Sequence, residues 1–261
     1  MYAQLLHECK PVSKKPLVLT ELETPIAAND DVLIKVHACG ICRTDLHVVE
    51  GELDPKRYRF PIIPGHQVVG TVVSDSNAAI FKKGQRVGVP WLHSSCGSCR
   101  FCLAGRENLC DHPQFTGWTR HGGFAEFLTA PAAFVYPLPA QLTDVEVAPL
   151  LCAGIIGYRC LRQCGIDNWA GAKLGLYGFG AAGHIAIQIA RHRGADVYVF
   201  TRDQERHQKL AEELGAKWVG GTFDTSPDKL DASIIFAPAG EIIPVALGSL
   251  ERGASLVLGG I

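Results

Sequence analysis

Neither sign of charge is in excess: 25 Lys and Arg face 26 Asp and Glu, a formal net charge of -1. A chain so balanced lacks the electrostatic footprint of a nucleic-acid or anionic-lipid binder, so small molecules are the expected partners, with no nucleic acid. Uninterrupted apolar runs of membrane length are missing too. The first twenty residues mix His7, Glu8, Lys10, Lys14 and Lys15 with short apolar pieces, which is not the pattern of a secretory leader. The expectation is therefore a soluble, cytoplasmic protein with no membrane partner. Repeats, low-complexity tracts and long disordered linkers are also absent, and a chain of 261 residues normally makes two domains.

Cysteine, by contrast, is plentiful at ten residues. Without a secretory leader, disulfides are the weaker reading, and seven of the ten stand in tight clusters or beside other metal-binding residue types. Cys9, Cys160 and Cys164 have no such spacing and read as ordinary buried thiols.

From Pro16 to about Ala148 the sequence breaks into short β-branched runs, such as Val32 to Val36 and Val68 to Val73, separated by Gly, Pro and Asn. This half predicts an irregular all-β domain, residues 1–149. After Leu150 the rhythm becomes strand, glycine turn, helix, which predicts a parallel α/β sheet over residues 150–261. Strands are expected at 174–177, 197–201, 218–219, 232–236 and 254–258, and helices at 181–193, 203–214 and 241–250.

Cys96, Cys99, Cys102 and Cys110 follow the pattern C-x2-C-x2-C-x7-C, which lets four soft thiolates surround one tetrahedral ion. Four ligands leave no open position, so the role is structural: zinc would knot a polar loop that burial alone could not hold. A redox dithiol or a [4Fe-4S] cluster competes with this reading.

Three further segments look like parts of one site: Gly40 to His47, Pro64 to Gln67, and Leu151 to Gly154. Between them they offer Cys42, His66 and Cys152. Two thiolates and one imidazole are three ligands, which leaves a fourth zinc position for water or substrate. Taken singly each segment is weak, because a solitary His is more often a satisfied core or surface histidine, and Cys39 with Cys42 could pass for a redox C-x-x-C.

Gly178, Gly180 and Gly183 form a G-x-G-x-x-G that follows an expected strand and opens an expected helix, the context that suits a dinucleotide pyrophosphate. An NAD-preferring fold ends its second strand on an acid that receives the ribose hydroxyls. Here that strand ends on Thr201 and Arg202, with Arg206 one turn on, which favours the extra phosphate of NADP over NAD. Asp203 reads as a cap of the next helix.

The order of these parts is specific: catalytic Cys, then Gly-His, then the four-cysteine loop, then a Cys just ahead of the nucleotide-binding half. In that order the sequence resembles the zinc-containing medium-chain alcohol dehydrogenases, from Leu17 through Ile261. The resemblance implies a GroES-like β domain followed by a Rossmann-type sheet, two Zn2+ ions, and interconversion of an alcohol with an aldehyde or ketone by hydride transfer to or from NAD(P). It further implies that Thr44 and His47 carry the released proton out, that Asp45 orients His66, and that Arg43 holds the pyrophosphate. Trp91 and Leu92 suit a substrate pocket or a core role. In place of the usual Glu after the ligand histidine stands Gln67, which removes a negative charge near the metal and puts in doubt any step that needs a carboxylate there. Five strands are expected where that family has six and a return segment, so the chain is expected to stop short of the family's usual end; a homodimer or homotetramer is expected of the complete protein. Two alternatives share these residues: an NADP-dependent aldehyde reductase, and a zinc-stabilised protein without turnover.

Overall fold

Alternating Val and Ile residues build the first half. The computed structural model describes residues 1–28, 30–74 and 80–260, and the chain divides into two compact units, Met1–Cys152 and Ala153–Ile261. This puts Cys152 in the same unit as Cys42 and His66, three residues beyond the boundary expected from the sequence.

In the first unit, β1 (Tyr2–Leu6) pairs antiparallel with β2 (Leu17–Glu21). Next come β3 (Asp31–Gly40), helix α1 (Arg43–Glu50), β4 (Gln67–Val72), β5 (Arg86–Val89) and β6 (Leu92–Ser94). The short helix α2 (Arg100–Leu103) precedes β7 (Gln114–Phe115), β8 (Phe127–Pro131), β9 (Tyr136–Pro137) and α3 (Asp144–Val147). The main sheet runs β8-β3-β4-β5-β9, all antiparallel. Its core is Val32, Ile34, Val68, Val72, Val87 and Val89, β-branched side chains that pack well on a pleated face, together with Leu128. This is the irregular β domain expected, with β3 longer than its apolar run because pairing with β4 continues past a bulge to Gly40↔Gln67. That extension matters: it carries β3 to the threshold of Cys42 and sets β4 directly after His66.

The second unit opens with α4 (Ala153–Gln163), an element the sequence reading passed over. It continues with β10 (Lys173–Tyr177), α5 (Ala181–His192), β11 (Asp196–Phe200), α6 (Lys209–Glu213), β12 (Trp218–Gly220), β13 (Leu230–Ile235), α7 (Ile242–Ser249) and β14 (Leu250–Leu258). The five strands are parallel in the order β12-β11-β10-β13-β14, a Rossmann-type arrangement. Strands buried on both faces explain the near-continuous apolar runs Leu174–Tyr177 and Val197–Phe200. Two elements differ from expectation. The helix anticipated from Asp203 begins as a wide turn over Gln204–Gln208, with His207 and Gln208 N–H both donating to Asp203 O, and becomes α-helical only at Lys209. The last strand starts at Leu250, four residues early, because Leu230↔Leu250 already pair before the bulge ahead of Ala232↔Ser255. No described helix is long and apolar enough to cross a membrane.

Candidate active site

Cys42 is the N-cap of α1, where its extended backbone lets the side chain turn back onto the helix start: Thr44 N–H donates to Cys42 Sγ at 3.4 Å. Asp45, one turn in, completes the cap by accepting the Cys42 N–H on Oδ2 at 2.8 Å. Its other oxygen, Oδ1, accepts from His66 Nδ1 at 2.9 Å. One carboxylate thus locks the Cys42 backbone and fixes the imidazole so that Nε2 faces Cys42 Sγ at 3.3 Å. His66 and Asp45 are only 1% and 3% exposed, so neither has water as an alternative partner. Cys152 follows the 3-10 turn Ala148–Leu151, which packs on β4 through Val69, and its Sγ lies 3.9 Å from that of Cys42.

These separations fit an ion. Zinc with Zn–S of about 2.3 Å and Zn–N of about 2.0 Å in tetrahedral angles requires an S···S edge of about 3.8 Å and an S···N edge of about 3.5 Å. All three donor atoms lie within 4.8 Å of one another. Cys39 does not join them: its thiol donates to Gly40 O at 3.7 Å and is pushed up to about 12 by burial, the opposite of a redox-active cysteine.

Without metal the three groups share protons unequally. The hydrogen bond from Cys152, helped by His66 and Thr44 and opposed by burial, holds the Cys42 thiol down at about 3. Cys152, as the donor to that thiolate and itself buried, is pushed far up. Burial works against a charged His66, but the bonds to Asp45 and Cys42 outweigh it and lift the ring to about 9. At neutral pH the metal-free set is therefore a thiolate, an imidazolium and a thiol, whereas a metal takes thiolate, neutral imidazole and thiolate. Binding must expel two protons. Zinc titrated calorimetrically at pH 7 in buffers of different ionisation enthalpy should release about two protons at this site, and its apparent affinity should rise by about two decades per pH unit between roughly pH 5 and 8. A pH-independent affinity would refute this charge assignment.

The four-cysteine loop is equally convergent. Cys96 Sγ and Cys99 Sγ lie 3.9 and 3.5 Å from Cys102 Sγ, too far for a disulfide and right for the edges of a zinc tetrahedron, and the four sulfurs cluster within 4.8 Å. Backbone amides face the sulfurs: Cys99 N–H to Cys96 at 3.3 Å, and Cys96 N–H and His112 N–H to Cys110 at 3.2 and 3.3 Å. Such donors favour thiolate, and the Ser98 and Cys99 amides bring Cys96 down to about 6.

In the second unit Gly178 sits at φ +88°, and a Cβ there would meet Ala237 N at 2.8 Å. A Cβ on Gly183 would fall 2.8 Å from Gly178 O, so α5 can approach the turn only with glycine at that place. Gly180, the N-cap of α5, is different: a Cβ there would meet nothing, leaving open space before the helix N-terminus, where a pyrophosphate would be stabilised. Thr201 is buried, with its carbonyl accepting from Gln208 Nε2 at 2.8 Å. Arg202 and Arg206 are exposed and pair with no acid among the described residues. Asp203 caps the turn by accepting Arg206 N–H at 2.9 Å.

Residues 28–140 match the alcohol dehydrogenase GroES-like domain. Over 257 residues the chain is 47% identical to "Probable alcohol dehydrogenase AdhA" of Mycobacterium tuberculosis, covering 96% of this chain and 73% of that protein. The chain belongs to the zinc-dependent medium-chain alcohol dehydrogenases. Among solved structures, a cinnamyl alcohol dehydrogenase from Sorghum bicolor agrees with a TM-score of 0.85 at 32% identity, over 98% of this chain and 75% of that one. A CAD from Helicobacter pylori complexed with NADP(H) gives 0.86 at 27% identity, over 100% and 77%. The two halves are thus a GroES-like domain and a Rossmann domain, and the protein is an oxidoreductase by family.

Around the three-donor set stand further polar groups. Thr44 is buried two residues past Cys42, and Arg43 is exposed at the first position of α1. His47 Nδ1 is bonded to Glu52 Oε2, and His47 Nε2 is buried with no partner among the described residues. Sequence reading missed Glu52. The available signal was Gly51, whose left-handed conformation (φ +82°) reverses the chain at the end of α1 and folds residue 52 back over the last turn, where both Gly51 and Glu52 N–H donate to His47 O. Trp91 sets its ring edge-on to His66 at 4.9 Å and stacks on Phe115 and Trp118, so it belongs both to the site and to a partly buried aromatic cluster. Leu92 is in β6, paired with Phe115. Gln67 is 2% exposed and lies against Gly40, where a Cβ would come within 2.8 Å of its Oε1.

Proposed function

We propose that the protein is a zinc-dependent alcohol dehydrogenase that interconverts a primary or secondary alcohol with its aldehyde or ketone and prefers NADP to NAD. The observation that carries this is the three-donor set Cys42, His66 and Cys152, with Asp45 behind the imidazole and no fourth protein ligand among the described residues. Zinc there would act as a Lewis acid that makes a bound alcohol lose its proton at neutral pH. Cys96, Cys99, Cys102 and Cys110 would hold a second, structural zinc.

The chain's own residues then have to position groups and move that proton. Thr44, fixed at the start of α1, would accept it and pass it towards His47. Glu52, by holding Nδ1–H of His47, leaves Nε2 as the free acceptor. Arg43, exposed on α1, is the candidate cation for the pyrophosphate, and Thr201, Arg202 and Arg206 for the adenosine 2'-phosphate. The Helicobacter relative holding NADP(H) supports that choice.

Steady-state kinetics of alcohol oxidation test the relay. Thr44→Ala should lower kcat by roughly 100-fold or more, the size expected when a positioned proton carrier is removed. Glu52→Gln should cost only roughly threefold to tenfold, because the amide oxygen can still accept from Nδ1–H while the charge that stabilises the imidazolium is gone. A Thr44→Ala enzyme as fast as wild type would remove Thr44 from the proton path.

A further inference from the structure

We propose that Lys56, Arg57 and Arg59 form a binding site for a small oxyanion, a phosphate or carboxylate group, distinct from the metal centres and the glycine turn. Three cations fall within four positions, on the 3-10 turn Pro55–Arg57 and the segment after it. With Gln114 and Thr119 they line a cleft of about 80 Å³, and no carboxylate lines it. None of the three is in an ion pair among the described residues. Asp54, the nearest acid in sequence, uses Oδ1 to accept the Lys56 N–H at 3.0 Å.

The two arginines are also held in place. The Arg57 guanidinium lies 4.9 Å over the Trp118 ring and 5.1 Å over Phe115, and its Nη2 donates to Pro113 O at 2.5 Å. Arg59 Nη1 donates to Tyr58 O at 3.0 Å and Lys56 O at 3.3 Å. Each guanidinium carries five N–H donors, so most remain available on both. Three like charges in one small cleft repel, and the stacking and carbonyl contacts hold the two guanidinium groups against that repulsion. An oxyanion would relieve it while finding donors already ordered, which lowers the entropic cost of binding. The cleft's volume is several times the roughly 10–15 Å³ that one water requires on the same measure, room enough for one such head group. The Thr119 hydroxyl is already committed to Phe115 N–H at 2.7 Å, whereas the Gln114 amide has no partner among the described residues and can add a donor.

The test is calorimetric titration of the zinc-loaded full chain with inorganic phosphate, at constant ionic strength with chloride as control. Saturable phosphate binding is expected, weakened tenfold or more by Arg57→Ala, which removes a charge-assisted donor. Gln114→Glu puts a carboxylate into the cleft without touching the Arg57 stack, and it should abolish the binding. Acetate and a carboxylate-bearing aldehyde form a second arm: tighter binding of the aldehyde than of acetate, lost in Gln114→Glu, would identify the acidic end of a substrate as the source, and equal binding would identify a free anion. Phosphate binding no stronger than chloride, or unchanged in Gln114→Glu, would overturn the proposal.

Discussion

Replacing Cys42 by serine should leave a folded protein with about one zinc per chain instead of about two, and with no measurable alcohol turnover. The separation of effects follows from geometry. Cys42 Sγ lies 3.3 Å from His66 Nε2 and 3.9 Å from Cys152 Sγ, and a serine hydroxyl in its place is neither soft nor ionised at neutral pH. Removing it leaves two ligands, too few for zinc in competition with buffer. The helix survives, because serine is a favoured N-cap and the Asp45 carboxylate still accepts the backbone N–H. The four-cysteine loop shares no ligand with this set, so its ion stays. Metal analysis beside circular dichroism checks the outcome. Two zinc ions retained would mean that Cys42 is not a ligand, and loss of both would mean that the sites are not independent.

Arg202→Ala should weaken NADP binding by roughly 10- to 150-fold and change NAD binding by no more than about twofold. A charge-assisted contact to a phosphate is worth about 1.5 to 3 kcal/mol, and only NADP has the 2'-phosphate to make it. The position suits that role. β11 ends at Phe200, Thr201 is buried, and Arg202 is the first exposed side chain beyond the strand, unpaired among the described residues. Arg206 follows on the turn capped by Asp203 and can take part of the load, so the double replacement should cost more than either alone. Fluorescence titration with both cofactors decides it. Equal losses for NADP and NAD would reduce Arg202 to a surface charge.

What could be read from the sequence depended on how local each feature is. The four cysteines lie within fifteen residues, so their spacing alone announced a tetrahedral site. Cys42, His66 and Cys152 come together only because β3 runs to Gly40, β4 starts at Gln67 and the turn before Cys152 packs on β4; no local spacing encodes that, and the order of motifs in a known family supplied it. Helix α5 was legible because Gly183, Ala186, Ile187 and Ala190 recur at i, i+3, i+4 and i+7 on one buried face. α4 was not: it begins directly after a candidate metal ligand, contains Gly154 and Gly157, and leaves Ile155, Ile156 and Tyr158 exposed, so its apolar residues do not mark a single buried stripe. Gly157 has a packing reason, since a Cβ there would lie 3.2 Å from Ala182 O on α5. The wide turn after β11 escaped notice for another cause: Asp203 is a proper helix cap, but Gln208 reaches back to Thr201 O and the first turn is stretched. Glu52 was hidden because its partnership with His47 exists only after Gly51 reverses the chain.

The central claim is that the Cys42, His66 and Cys152 site works as a zinc-dependent alcohol dehydrogenase, and the rate of NADP reduction by a panel of alcohols before and after selective metal removal tests it most directly. Alcohol-dependent reduction of NADP should be present in the zinc-loaded protein, vanish when the three-ligand site is emptied by a chelator while the four-cysteine zinc stays, and return on adding zinc. A protein shown to hold zinc at both sites, yet producing no reduced cofactor from any alcohol and consuming none with any aldehyde, would contradict it.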